Sequence, residues 1–176
     1  MATAACVVRP AVVRISGMGE ALPGHILSSA ALEARLHLEE GWIVRRTGIV
    51  SRHLLGDDEP LCELAASAVR AACDDAGCAP EDLDAIIATA TCPDASLPSL
   101  ASRVASLLAV DPPSVFDVAA SSAGFLAGLA VAEGFIARGR ARRVALVAAE
   151  ALSRCVDWED RETCVLFGDG CAAAIL

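Results

Sequence analysis

The sequence predicts an α/β fold in which a mainly parallel β-sheet is covered by helices on both faces, with residues 1–176 forming one domain. Three observations lead there. Short apolar runs alternate with stretches of helical spacing along most of the chain, as in strand–helix–strand units. The strand-like runs, AIIATAT (85–91) above all, are apolar at nearly every position, as strands buried on both faces are. One long helical stretch, Ser122 to Arg138, has Glu133 as its only charge before the final arginine, which predicts a central helix buried all round.

Taken in order, residues 11–17 (AVVRISG) read as a first strand running into the turn-rich GMGEALPGH. Ser29 is placed to cap a short helix across AALEARL, because a serine oxygen accepts an orphan amide of the first turn. A loop containing GWIVRRTGIVSRH (41–53) follows. Leu61, Leu64, Ala65, Ala68, Val69, Ala72 and Ala76 recur at helical spacing, and Gly77 is placed to end that helix. After the turn APEDLD come a buried strand at Ala85–Thr91, a helix at Pro98–Val110 and a second buried strand at Val115–Ala119. The long helix begins at Ser122, Val144–Ala149 is another strand, and Thr163–Leu166 with Cys171–Leu176 suggest a closing pair.

Bulk properties exclude several functions. The net charge is −9, and all fourteen basic residues are arginine, so a nucleic-acid binder with its basic face is disfavoured. No window approaches roughly 18 uncharged apolar residues, so no membrane span is expected. The N-terminus lacks the order of a signal peptide, which makes a cytoplasmic protein the default. Eight cysteines, at 6, 62, 73, 78, 92, 155, 164 and 171, form no CxxC pair. Neither a metal site nor a disulfide framework is expected, and the thiols read as small buried hydrophobes.

The chemistry concentrates at FDVAASSAGFLAG (116–128), where an apolar strand meets two serines and a helix start. A nucleophile there would gain from unpaired amides and the helix dipole. Small neighbours, Ala120, Ser121, Ala123 and Gly124, leave room for an acyl chain. The plainer alternative is that Ser121 or Ser122 simply caps the helix. Gly124, Gly128 and Gly134 lower helix propensity by about 1 kcal/mol each, which is tolerable where they allow close backbone packing.

GMGEALPGHILSSAALE, GWIVRRTGIVSRH, FDVAASSAGF, VALVAAEALSR and DWEDRETCVLFGDGCAAAIL, in this order, resemble the N-terminal half of the β-ketoacyl-acyl-carrier-protein synthase III family. The resemblance implies a thiolase-like half fold and transfer of an acyl group from coenzyme A. Ser122 stands at the position of the family's acyl-accepting cysteine. Trp42 matches the tryptophan that stacks on the coenzyme A adenine, and Arg161 the arginine on the adenine's other face. Arg46 is similar to the residue at the phosphate end. Leu97 corresponds to the apolar residue that reaches a partner subunit's acyl pocket, and Phe167 to the phenylalanine beside the nucleophile.

Serine in place of cysteine changes the chemistry expected. A hydroxyl needs a positioned general base, and the oxyester it forms is a poorer electrophile for condensation than a thioester. Starter-unit priming or acyl transfer is therefore expected, with acyl-CoA as substrate, no cofactor, and an acyl carrier protein as partner. The alternatives are a non-catalytic or regulatory half-subunit binding acyl-CoA or carrier protein, and a condensing enzyme whose cysteine has been exchanged to trap a complex. The family's histidine and asparagine are expected from a second half of the fold, and this sequence contains no asparagine. A homodimer, or a complex with a C-terminal-half chain, is expected to cover the exposed apolar surface. RGRARR (138–143) reads as a solvated helix C-terminus rather than a carrier-docking patch.

Overall fold

The computed structural model describes residues 12–176. Its centre is a five-stranded sheet in the order β1 (Gly17–Ala21), β7 (Asp169–Ile175), β6 (Val144–Ala151), β4 (Ala85–Thr89), β5 (Ser114–Asp117). The sheet is mixed: β6, β4 and β5 run parallel, whereas β7 is antiparallel to both β6 and β1. A short two-stranded antiparallel sheet, β2 (His25–Ser28) with β3 (Ser51–Leu54), stands beside it.

The strands divide their side chains between two cores with the period of two that a pleated strand imposes. Ile86 and Ala88 of β4, with Ala145, Val147 and Ala149 of β6, pack with α3 (Leu61–Ala76) and α4 (Leu100–Leu108). Ala85, Ile87, Val144 and Leu146 pack on the other face with α5 (Gly124–Ala137). A third, smaller cluster joins Leu32 of α1 (Ser29–Arg35), Trp42 and Ile43 of α2 (Trp42–Thr47), and Cys164 and Val165.

The expected helix 61–76 forms over that range, and Gly77 ends it in the left-handed conformation, φ +65°. Elsewhere the elements differ from expectation for identifiable reasons. The first strand is Gly17–Ala21, not 11–17; Ala11 lies outside the described residues, and residues 12–16 are not strand. GMGEA looked like a turn because of its glycines. They serve instead to bring β1 onto α3: a Cβ on Gly17 would lie 2.6 Å from the Ala72 carbonyl oxygen. The cap of α1 is Ser28, which accepts from the Ala31 amide, while Ser29 is inside the helix and donates to the Ile49 carbonyl at 2.6 Å. GWIVRRTGIVSRH is not a loop but contains α2 and β3. Residues 164–166 make one 3-10 turn, and β7 pairs with β1 and β6 rather than with that segment.

The helix from Ser122 differs most. It begins as a 3-10 turn, Ser121–Ala123, and continues as α5, of which only Gly124, Gly128 and Ala132 are buried. Its outer face is open in this chain, with Leu126 69 % exposed. The cysteines also divide. Cys62, Cys73, Cys164 and Cys171 are buried and Cys78 is half-buried, but Cys92 and Cys155, 63 residues apart, form a disulfide that the spacing did not suggest. Cys6 lies outside the described residues.

Candidate active site

Parallel strands β4, β5 and β6 end at the same edge of the sheet, where open α/β sheets hold their ligands. Three chain segments gather there. The exit of β5 carries Ser122, the exit of β4 carries Leu97, and Phe167 precedes β7, whose first residue Asp169 pairs with Ala151 at the end of β6.

The turn bearing Ser122 is sharp. Ser121 has φ +44°, a left-handed backbone that costs a non-glycine residue about 1–2 kcal/mol. Helix α5 begins at an N-cap of Ala123 with no side-chain capping bond, so neither serine caps it. The amides of Ala123 and Gly124 are taken by the carbonyls of Ala120 and Ser121 within the turn. Ser122 is exposed, not enclosed as the expectation of an interior helix required, because the side of α5 away from the sheet is uncovered. Gly124 fixes how closely the turn approaches the sheet, since any Cβ there would overlap the Thr89 hydroxyl. A Cβ on Gly128 would lie 2.5 Å from Leu146 Cδ1, whereas one on Gly134 would meet only Arg138 at 3.5 Å. Two of the three glycines therefore serve close packing and the third does not.

Asp117, the last residue of β5, ties this turn to the Leu97 loop. Its carboxylate accepts from the amides of Leu100 and Ala101, both at 2.8 Å, and so anchors the start of α4. Leu97 precedes that anchor and is 85 % exposed. Trp42 is held by a residue the sequence did not single out. Buried Glu33 accepts from the amides of Gly41 at 2.8 Å and Ile43 at 2.7 Å, on either side of the tryptophan. Arg46, one turn along α2, lays its guanidinium over the Trp42 ring at 4.1 Å, within cation–π range. Arg161 is exposed in the segment after β6, where Arg35 covers Trp158 at 5.6 Å. In this structure the face of Trp42 is covered by Arg46.

FGDG is more than a turn. Asp169 is buried and accepts from the Leu55 amide at 2.7 Å, the Ser153 amide at 2.9 Å and the Ser153 hydroxyl. It pins the exits of β3 and β6 behind half-buried Phe167. Buried Arg52 donates to the Val165 carbonyl at 3.2 Å and to Ser29 Oγ at 3.2 Å; desolvation lowers its pKa, and Nε has no partner among the described residues. His53 is committed to the Pro23 carbonyl at 2.6 Å. The arginine run lies at the opposite edge of the sheet, where Asp84 accepts from the amides of Arg142 and Arg143 at 2.6 and 3.0 Å.

The family description 3-oxoacyl-[acyl-carrier-protein] synthase III matches residues 116–176, the stretch from β5 through the Ser122 turn to β7. Among curated relatives, the β-ketoacyl-[acyl-carrier-protein] synthase III of Rhodospirillum centenum is 43% identical over 162 residues, covering 92% of this chain and 50% of that protein. The corresponding protein of Thioalkalivibrio sulfidiphilus is 45% identical over 163 residues, covering 93% and 51%. The crystal structure of the Aquifex aeolicus 3-oxoacyl-[acyl-carrier-protein] synthase III superposes with a TM-score of 0.86 at 39% identity, over 92% of this chain and 52% of that one. The priming β-ketosynthase of the R1128 polyketide pathway gives 0.85 at 31% identity, over 92% and 48%. The chain spans about half the length of the curated relatives it matches.

Fold and site together define an N-terminal half of the thiolase-like architecture, with the Ser122 turn after β5. Over 92% of its length the chain is similar to about half of a β-ketoacyl-acyl-carrier-protein synthase III, and residues 116–176 match the model of that family.

Proposed function

We propose that this chain is the acyl-accepting half of a synthase III-like acyltransferase, in which Ser122 takes the acyl group of an acyl-CoA and passes it to a carrier thiol. The observation that carries the reading is the turn itself. A serine stands just before an uncapped helix, behind a residue in a left-handed conformation, at the strand edge where ligands bind. The Ser122 hydroxyl attacks the thioester carbonyl, its proton passes to a general base, and the coenzyme A thiol leaves. That base is not among this chain's assigned residues; the histidine and asparagine that the family resemblance implies are expected from the second half of the fold.

Trp42, Arg46 and Arg161 are the proposed coenzyme A contacts. Arg46 must leave the Trp42 face, or share it, when an adenine stacks there. Phe167 is the proposed wall beside Ser122, and Leu97 the proposed residue that reaches a partner subunit's acyl pocket. A homodimer, or a complex with a C-terminal half, supplies the cover for α5. The reaction belongs to fatty acid or polyketide-type biosynthesis, in the cytoplasm, with no cofactor beyond the acyl-CoA substrate.

Ser122 variants test this in the whole protein. Ser122→Ala loses acyl transfer by at least about a thousandfold while coenzyme A binding persists. Ser122→Cys raises decarboxylative condensation relative to transfer, because a thioester is the better electrophile. No transfer by the unsubstituted protein, with acyl-CoA binding the same in Ser122→Ala, would favour the second reading, a half-subunit that binds acyl-CoA or carrier protein without catalysis; unchanged transfer in Ser122→Ala would contradict the role of Ser122.

A further inference from the structure

The Cys92–Cys155 disulfide joins the exit loops of β4 and β6, on the same strand edge as Ser122. It faces a surface cleft of about 500 Å³ lined by Asp57, Asp58, Glu59, Asp94, Arg154 and the two half-cystines. Cys155 is exposed and Cys92 half-buried, so a dissolved thiol reaches the bond. The fold does not depend on this bond alone at that edge. Arg154 Nη1 pairs with Asp94 at 2.6 Å, and the same guanidinium donates to the carbonyls of Gly56 and Glu59 at 2.6 Å. Thr91 donates from its amide and hydroxyl to Glu150 of β6 at 3.0 Å. Both loops stay anchored beside the bond when it opens, which makes opening reversible.

The cleft also selects the reagent. Four carboxylates of exposed residues stand in the cleft; Asp94 is taken by Arg154 at 2.6 Å and Arg103 at 3.4 Å, while Asp57, Asp58 and Glu59 make no ion pair among the described residues. An anionic thiol approaching this field is repelled, and the repulsion is screened by salt. We propose that Cys92–Cys155 is a thiol-exchange site, opened by uncharged or cationic thiols and shielded by its carboxylates from anionic ones. In the exchange a thiolate attacks the exposed Cys155 sulfur, the Cys92–Cys155 bond breaks, and Cys92 leaves as a thiolate that takes a proton from water. A second thiol attacks the mixed disulfide and releases Cys155, so two thiols are oxidised to one disulfide as the protein disulfide becomes two thiols. Resting on the proposed acyl transfer, the shield has a purpose: each turnover frees coenzyme A, a polyanionic thiol, at this edge.

The test is the rate of opening in the whole protein purified without reductant, read by differential alkylation and peptide mapping of Cys92 and Cys155. The probes are 2-mercaptoethanol, cysteamine and coenzyme A at equal thiolate concentration. At low ionic strength coenzyme A should open the bond at least about tenfold more slowly than 2-mercaptoethanol, with cysteamine the fastest. The gap should shrink at least about threefold in roughly 0.5 M salt, and likewise in Asp57→Asn/Asp58→Asn. The circular dichroism of the fold should persist on opening, while amide exchange rises at residues 92–99 and 155–161. Free alkylation of both cysteines before any reductant, a gap indifferent to salt and to the double variant, or loss of the fold on opening would overturn the proposal. None of these readings involves Ser122, so an unacylated Ser122 would sink the acyl-transfer reading and leave the exchange site standing.

Discussion

The two faces of the central sheet are covered by helices of opposite design. On one, α3 and α4 present apolar stripes, Leu61, Ala65, Val69 and Leu100, Val104, Leu108, and turn polar residues to water. On the other, α5 is apolar around its circumference but buries only Gly124, Gly128 and Ala132. The first face is complete within this chain. The second carries the Ser122 turn and leaves its outer side open, with Leu126 exposed. An amphipathic helix thus reports a finished layer, and an all-apolar one a layer whose outer face is left apolar and open in this chain.

The largest effects are expected on the finished face and its edge. Leu100→Ala should cost about 3 kcal/mol by leaving a cavity in a closed core, read from urea unfolding. Asp169→Ala should cost a similar amount, about 3 kcal/mol, because it strands the Leu55 and Ser153 donors. Leu126→Asp in the 176-residue chain should change stability by less than about 0.5 kcal/mol. A cost equal to that of Leu100→Ala would mean that the outer face of α5 is already covered, and the contrast between the faces would fail.

Within α5 the contrast can be sharpened. Gly124→Ala should destabilise by about 2 kcal/mol by forcing α5 off Thr89, despite alanine's better helix propensity. Gly134→Ala should stabilise by about 0.5–1 kcal/mol, since its Cβ meets only an ordinary contact. The smallest effect is in pH. Burial pushes the thiols of Cys73 and Cys171 up from 9.0 to about 12. The unfolded chain then releases protons above pH 9.0 that the fold retains. Their contribution is complete below that pH and is lost as pH rises towards 12, so unfolding free energy should fall on that limb. Cys73→Ala/Cys171→Ala should flatten the slope.

These contrasts also mark what the sequence could disclose. Helix α3 was legible to the residue because stripe and terminating glycine agree. Strands β4 and β6 were legible as apolar runs, though β4 ends at Thr89 rather than Thr91. Strand β1 was hidden because its glycines answer to the backbone of α3, a partner some fifty residues away that no local pattern reveals. The Cys92–Cys155 bond was hidden for the same reason, as was Glu33 beneath Trp42. The signal for Asp169 was present in FGDG, but a turn and a buried carboxylate hub look alike until their partners are known. Ser122 was legible as a serine between strand and helix; that it does not cap the helix required the coordinates.

The most direct test of the account is peptide mapping by mass spectrometry after the whole protein is mixed with an acyl-CoA and quenched. The account predicts one acyl group, resistant to neutral hydroxylamine as an oxyester is, on the peptide containing Ser122. Turnover that proceeds while Ser122 carries no acyl group at any time would contradict it.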